Sequence, residues 1–192
     1  SPTPNVTFSG LIRIEETPNA VAGFFAEAAV AHFLSNPANP ARWESINTSS
    51  VVQLQLGEYF TDPELIIWEM ESVLLQSNLP NAFAFKILED GPINLTVRGD
   101  MNITGAGILY SPRSPSDSVV TFGGAVRCSN SPTPVFTLEE SSVSVFFDEG
   151  LIIESPESGV VSAYGASASA SIVVAGDLVV SRSPDDPPLS AS

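Results

Sequence analysis

Few side chains in this sequence carry the chemistry of a catalytic or metal-binding group. His32 is the only histidine and Cys128 the only cysteine. A Ser-His-Asp or Cys-His site would have to use His32, which lies in an apolar stretch, and no G-x-S-x-G motif accompanies it. A zinc site would lack imidazole and thiolate ligands, and a single cysteine excludes a disulfide within the chain. We therefore predict no catalytic residue, no metal site and no cofactor, with Cys128 as a small buried residue on a strand.

Carboxylates are the remaining candidates, because two of them can form a glycosidase pair or a calcium site. Adjacent residues of a strand point to opposite faces, so neighbouring acids are interpreted as solvated turn charges. A carboxylate-dependent glycosidase stays open only if two acids lie on facing strands about 5 to 10 Å apart. The adjacent acidic pairs are Glu15/Glu16, Glu89/Asp90, Glu139/Glu140, Asp148/Glu149 and Asp185/Asp186.

Arg98-Gly99-Asp100 is interpreted as a hairpin turn.

Four N-x-Ser/Thr sequons predict N-glycosylation and hence a secreted protein. In three of them the Asn and Thr fall on one face of an alternating strand, opposite the apolar residues, where a glycan can be carried. The alternative is that these are ordinary polar positions on the outer face of a strand. The four asparagines are Asn5, Asn47, Asn94 and Asn102.

The composition restricts the possible partners. Seven Lys and Arg against 22 Asp and Glu give a net charge of −15, which excludes an electrostatically driven nucleic-acid binder. The longest apolar stretch, 20–34, is too short to cross a bilayer, so no membrane insertion is expected. At 43% hydrophobic residues the chain should fold. Lys86 is the only lysine and charged residues make up only 15%, which together favour an extracellular location.

In the N-terminal part, alternation predicts a strand over Val6–Glu15 and another over Val52–Leu56. The Thr17-Pro18 start signal predicts a helix over Asn19–Ser35, apolar on nearly every side. A second helix is predicted from Asp62, whose start signal is followed by Pro63. A strand is the alternative there, because the apolar residues that follow also alternate.

From Ala82 onward, short strand-like runs alternate with turn residues. Asp90-Gly91, Gly99-Asp100, Glu149-Gly150 and Gly176-Asp177 resemble hairpin or bulge connections. We therefore predict a mainly β single domain over 1–192, an antiparallel β-sandwich or barrel-like fold of about eight to ten strands with two helices in its N-terminal half. No repeat of about 20 to 50 residues is apparent, which disfavours a solenoid. The expected parts are an N-terminal strand over 1–16, a helix-containing part over 17–81, a β-rich part over 82–183 and a Pro-rich tail over 184–192.

Two functions fit these features. The first is a self-assembling structural subunit of a filament or surface layer, not an enzyme, in which the N-terminal strand Val6–Glu15 leaves its own sheet and adds to an open sheet edge of an identical subunit. This mechanism is similar to strand addition in pilins, although no motif indicates a family. The alternative is a monomeric secreted carbohydrate-binding sandwich that would use exposed Trp43, Trp68, Tyr59 or Tyr110. The predicted subunit interface consists of Val6, Phe8, Ile12, Ile14, Phe24 and Phe25.

Overall fold

A computed structural model describes residues 5–14, 21–24, 30–46, 53–56, 65–76, 83–87, 92–110, 117–131, 135–139, 142–154, 161–164 and 169–181. These residues form 20 strands and contain no helix. The strands are β1 Asn5–Phe8, β2 Leu11–Ile14, β3 Val21–Phe24, β4 Val30–Ser35, β5 Arg42–Ile46, β6 Gln53–Leu56, β7 Leu65–Met70, β8 Ser72–Gln76, β9 Phe83–Ile87, β10 Ile93–Val97, β11 Met101–Thr104, β12 Gly107–Tyr110, β13 Asp117–Phe122, β14 Val126–Ser129, β15 Phe136–Glu139, β16 Ser142–Phe147, β17 Gly150–Glu154, β18 Val161–Tyr164, β19 Ser169–Val174 and β20 Asp177–Ser181.

Consecutive strands belong to three different sheets, and every third strand returns to the same sheet. Sheet 1 has the order β1-β4-β7-β10-β13-β16-β19, sheet 2 the order β2-β5-β8-β11-β14-β17-β20, and sheet 3 the order β18-β15-β12-β9-β6-β3. All neighbouring strands are parallel, as in the pairs β10 with β13 and β11 with β14. Three consecutive strands therefore make one coil, and the stacked coils form a β-solenoid.

This architecture shows that the predicted antiparallel sandwich or barrel with two helices is wrong. The predicted helix over Asn19–Ser35 contains strands β3 and β4 instead. In β4 the side chains of Phe33 and Ser35 are buried while those of His32 and Leu34 are half-buried, which is the alternation of a strand. A run that is apolar on every side satisfies a buried parallel strand as well as a buried helix.

The second predicted helix is also wrong, and the strand alternative at that place is confirmed. Strands β7 and β8 occupy the described residues after Asp62. Trp68 and Met70 are buried in β7, and Val73 and Leu75 are buried in β8. The apolar residues that matched a helical spacing thus come from two strands in two sheets. The predicted strand over Val52–Leu56 is confirmed by β6.

The predicted hairpin turns are corners between sheets. Gly99-Asp100 separates β10 from β11, and Gly176-Asp177 marks the corner between β19 and β20. Likewise Glu149-Gly150 leads from β16 into β17, whereas Asp90-Gly91 lies outside the described residues. The predicted strand Val6–Glu15 is divided in the same way into β1 and β2, with Gly10 at a φ of 69°. Glycine and acidic residues suit either kind of turn, so residue type does not distinguish a hairpin from a corner.

The repeat length of the solenoid varies along the chain, which explains why no repeat is apparent in the sequence. Asn94 pairs with Val119, 25 residues later, whereas Val30 pairs with Leu65, 35 residues later. The coils therefore absorb insertions at their corners while the strands keep their register. No single period therefore fits the whole chain, although a spacing of 25 residues recurs between Asn94, Val119 and Ser144.

The hydrophobic core fills the space between the sheets. Residues opposite one another in register form columns along the solenoid, and columns alternate between inward and outward faces. The inward column of Phe33, Trp68, Leu95, Val120 and Val145 is buried throughout. Aromatic rings reinforce it between sheets and between coils. Trp43 and Trp68 meet edge to face at 5.7 Å, Phe8 meets Trp43 at 5.4 Å, and Phe122 stacks on Phe147 at 5.0 Å.

The corner between sheets 1 and 2 brings the backbones of adjacent coils into close contact. A Cβ atom at Gly124 would lie 2.4 Å from the carbonyl carbon of Gly99 in the preceding coil. At Gly176 it would lie 2.1 Å from the carbonyl oxygen of Glu149. Both clashes are with backbone atoms, which cannot rotate away, so these corners require glycine.

Candidate functional site

A groove on the outer face of sheet 1 is the first candidate site. It has a volume of about 250 Å³ and lies where β13, β16 and β19 begin. Ser142 donates a hydrogen bond from Oγ to Oδ1 of Asp117 at 3.0 Å. Among the described lining residues Asp117 is the only carboxylate, so these residues can form hydrogen bonds but include no pair of acids. The lining residues are Asp117, Ser118, Val119, Ser142, Val143, Ser144, Ser169, Ala170 and Ser171.

The charged residues at the corner after β10 contact neighbouring coils. Arg98 forms a salt bridge with Glu69 of the preceding coil at 3.0 Å. Asp100 forms one with Arg127 of the following coil at 3.3 Å and also accepts a hydrogen bond from the amide of Ala125. The Arg98-Gly99-Asp100 tripeptide therefore ties three coils together. Its predicted role as a hairpin turn is wrong, because it forms the corner between β10 of sheet 1 and β11 of sheet 2.

Of the five acidic pairs, the structure describes one in full and one residue of another. Asp148 and Glu149 are exposed at the corner after β16, as expected of solvated turn charges. The other pairs lie wholly outside the described residues, except for Glu139 in β15. Within the part of the chain that the structure describes, no three side chains of the His, Cys, Asp and Glu types are grouped as metal ligands.

The two reactive side chains occupy separate places. His32 is half-buried in an outward column of sheet 1, opposite Asn5 and Ile67. Cys128 is buried in an inward column of sheet 2, opposite Ile103 and Ile153, which confirms the predicted buried strand position. Burial raises the pKa of the Cys128 thiol to about 12 because the apolar surroundings disfavour the thiolate. This thiol is therefore a core residue and no nucleophile.

Three of the four predicted glycosylation sites are described. Asn5 and Asn94 are exposed and share one outward column of sheet 1. Asn102 is half-buried on the outer face of sheet 2. Asn47 lies outside the described residues. The three described sequons therefore point away from the core, as the alternation predicts, and their glycosylation stays a prediction.

Two of the four aromatic residues proposed for sugar stacking are buried, whereas the prediction needed them exposed. Trp43 and Trp68 are buried in the core, where they pack on each other. Tyr59 lies outside the described residues, and Tyr110 is the last residue of β12. The two tryptophans therefore have no access to a ligand at the surface.

Five of the six predicted interface residues lie at one end of the solenoid. Strands β1, β2 and β3 are the edge strands of the three sheets at this N-terminal end. Val6 is in an inward column but 42% exposed, and Phe8 and Ile12 are half-buried. Ile14 is in β2 and Phe24 in β3, whereas Phe25 lies outside the described residues.

The opposite end was missed by sequence reasoning. Strands β19 and β20 are the edge strands of sheets 1 and 2 at this C-terminal end. Leu178 is opposite the buried Leu151 but 56% exposed, and Val180 is opposite the buried Ile153 but 52% exposed. Both therefore belong to inward columns that no further coil covers among the described residues. The alternation of Leu178 and Val180 was visible in the sequence, but its meaning requires the stacking order of the coils.

Charges of opposite sign lie at the two ends. Arg13, in the N-terminal edge strand β2, is half exposed and bridges to Glu44 at 3.1 Å. Asp177, the first residue of the C-terminal edge strand β20, is exposed. The two ends of sheet 2 are thus apolar inside and oppositely charged outside.

No protein-family model matches the chain, and neither a curated protein nor a solved structure is similar to it. A helix long and apolar enough to span a membrane does not occur in the described ranges.

Proposed function

We propose that this protein is a structural subunit that assembles with identical copies through the ends of its solenoid, forming a filament or layer outside the cell. The observation that carries the proposal is the exposure of inward columns at both ends, by Val6 at one and by Leu178 and Val180 at the other. The proposal assigns no catalytic role to any residue.

The physical argument is the incomplete burial of a repeating structure. Each coil buries its apolar face against the coils on either side, so solenoids depend on polar capping at their ends for solubility. Here the described edge strands present apolar side chains together with one unpaired row of backbone amides and carbonyls. A second copy placed on such an end would satisfy both at once.

The proposed N-terminal contact differs from the predicted one, in which the strand leaves its own sheet. Strands β1 and β2 pair with β4 and β5 of their own chain. They would therefore join a neighbouring subunit with their outer edges while remaining in their own sheets. No strand has to leave its subunit, so assembly costs little conformational entropy.

The proposed extracellular setting rests on the outward sequons. Asn94 lies on the outer face of sheet 1, in a central strand far from either end in the strand order. A glycan there would cover a side wall of the solenoid and leave the ends free to associate. Mass spectrometry of the secreted protein before and after enzymatic removal of N-glycans tests this part of the proposal.

The assembly itself is tested by sedimentation and electron microscopy over a range of protein concentrations. Wild-type protein should form particles that grow with concentration, because a stacked end exposes another end. Leu178→Lys should remain monomeric, since it places a charge in the buried contact. Val119→Lys is the matched control, because Val119 is exposed on the outer face of sheet 1 and its replacement should leave assembly unchanged.

A wild-type protein that stays monomeric at every concentration would overturn the proposal. The groove beside Asp117 would then become the site to test for the alternative, carbohydrate binding, on a glycan array with Asp117→Ala as the negative control. That alternative is supported only by the hydroxyl groups that line the groove.

A further inference from the structure

The two ends of the solenoid are complementary in register. We infer that the assembly is polar, with the C-terminal end of one copy seated on the N-terminal end of the next, so that β19 pairs with β1 and β20 with β2. This inference rests on the proposed self-assembly and names its contact. It sets Leu178 opposite Ile12, Ile172 opposite Val6 and Val174 opposite Phe8.

The first argument is the continuation of the inward columns. Leu178 ends the column of Val73, Met101, Val126 and Leu151, and Ile12 begins the same column before Trp43. In sheet 1, Ile172 and Val6 likewise end and begin one column. Parallel strands in this register would extend both columns of the core into the next copy, with apolar side chains opposite apolar ones.

The second argument is the length of the corner between the two sheets. Val174 and Leu178 are four positions apart, and so are Phe8 and Ile12. The same spacing separates Val97 from Met101 inside the solenoid. Both edge strands of one copy can therefore pair with both edge strands of the next without distortion of either corner.

The third argument is charge. Asp100 occupies the corner position before β11 and binds Arg127, which lies in the next coil. Asp177 holds the position equivalent to Asp100, and Arg13 the position equivalent to Arg127, when the paired registers are followed along sheet 2. Stacking in this register would place Arg13 beside Asp177 of the preceding copy, in the geometry of an ion pair that the solenoid already contains.

Cysteine cross-linking tests the register directly. In the double variant Ile12→Cys with Leu178→Cys, oxidation should join copies into a ladder of covalent oligomers, because opposed residues of neighbouring strands have the Cα separation that a disulfide requires. Ile12→Cys with Val179→Cys is the control, since Val179 lies on the outward face and should not cross-link with position 12. Cys128 is common to all variants and stays buried.

Charge reversal tests the polarity independently. Asp177→Arg should raise the concentration required for assembly by about threefold to tenfold, because it faces Arg13 with a like charge. Asp148→Arg makes the same change of net charge at an exposed corner one coil earlier and should leave assembly within about twofold.

The outcomes separate this inference from the proposed function. Two results would overturn the polar register but leave self-assembly standing. In the first, particles form normally and Leu178→Cys alone yields disulfide-linked dimers. In the second, particles form but the double variant Ile12→Cys with Leu178→Cys gives no ladder of covalent oligomers. If wild-type protein forms no particles, the proposed function itself is wrong.

Discussion

The inner coils and the last coil contain the same pattern of residues with opposite burial. Leu151 and Ile153 in β17 are buried at 3% and 0%, whereas the residues opposite them in β20, Leu178 and Val180, are more than half exposed. The four side chains are alike and share two columns. Burial in this fold is therefore set by the presence of a following coil and not by the residue pattern of the strand itself.

This difference separates two roles of an apolar column. Inside the solenoid the column stabilises the monomer, because each side chain is covered from both neighbouring coils. At the last described coil the same column contributes little to the monomer, and in the proposed assembly it would contact the next copy. Substitutions in the two places should therefore affect different properties of the protein.

The largest contrast is expected in thiol reactivity along one column of sheet 2. Cys128 and Val180 lie in the same inward column, two coils apart. In the Val180→Cys variant, the new thiol should react with an alkylating reagent near neutral pH about a thousandfold faster than Cys128, whose pKa is about 12 compared with 9.0 as its ordinary value. Mass spectrometry of peptides after timed alkylation in dilute solution measures both rates in one molecule.

The same pKa shift predicts how stability depends on pH. The thiol of Cys128 ionises at about 12 in the folded protein, compared with 9.0 as its ordinary value. Because the pKa is higher in the folded protein, the contribution of this thiol to stability is intact below about pH 9. The contribution is lost as the pH rises towards 12, since only the unfolded chain then gains the thiolate readily.

Equal alkylation rates at positions 128 and 180 would contradict the contrast between inner and last coils.

The next largest effect compares two leucines in one column. Leu151→Ala should lower the free energy of unfolding by about 2 to 5 kcal/mol, because it leaves a cavity in a closed core. Leu178→Ala should lower it by less than about 1 kcal/mol, since the side chain is half exposed and its neighbours can collapse. Urea denaturation at a concentration below that of assembly measures both values.

Assembly should show the reverse order for these two variants. Leu178→Ala should weaken assembly, whereas Leu151→Ala should leave it unchanged under conditions where the protein stays folded. A loss of monomer stability at position 178 as large as that at position 151 would mean that the last coil is covered within its own chain.

The contrast also explains which features were predictable from the sequence. Alternation in runs such as Ile93–Val97 correctly predicted strands, because one face of each is buried wherever the strand is paired. The alternation did not predict which strands pair with each other, since strands with one buried face alternate in the same way in an antiparallel sandwich and in a parallel solenoid. The Ala-rich segment 19–35 was wrongly predicted as a helix because a strand buried on both faces and a buried helix are both apolar on every side. The spacing of polar residues therefore cannot distinguish them.

The candidate site was only half predictable for a related reason. Val6, Phe8 and Ile12 were identified as interface residues from an alternating strand near the N-terminus, although the structure shows two strands with a corner at Gly10. Leu178 and Val180 were not identified, because an apolar alternating strand normally indicates core. Only the stacking order shows that no described coil follows them in their column.

The smallest effect is expected at a corner where the backbones of two inner coils are in contact. Gly124→Ala should lower the free energy of unfolding by about 1 to 3 kcal/mol, because the added methyl group would overlap the backbone of Gly99 and force two coils apart. Ala175→Ser, at the exposed corner of the last coil, is the control and should change stability by no more than about 0.5 kcal/mol. Urea denaturation of both variants tests the difference. If Gly124→Ala were as neutral as the control, contact between the coil backbones at this corner would not limit the spacing of the solenoid.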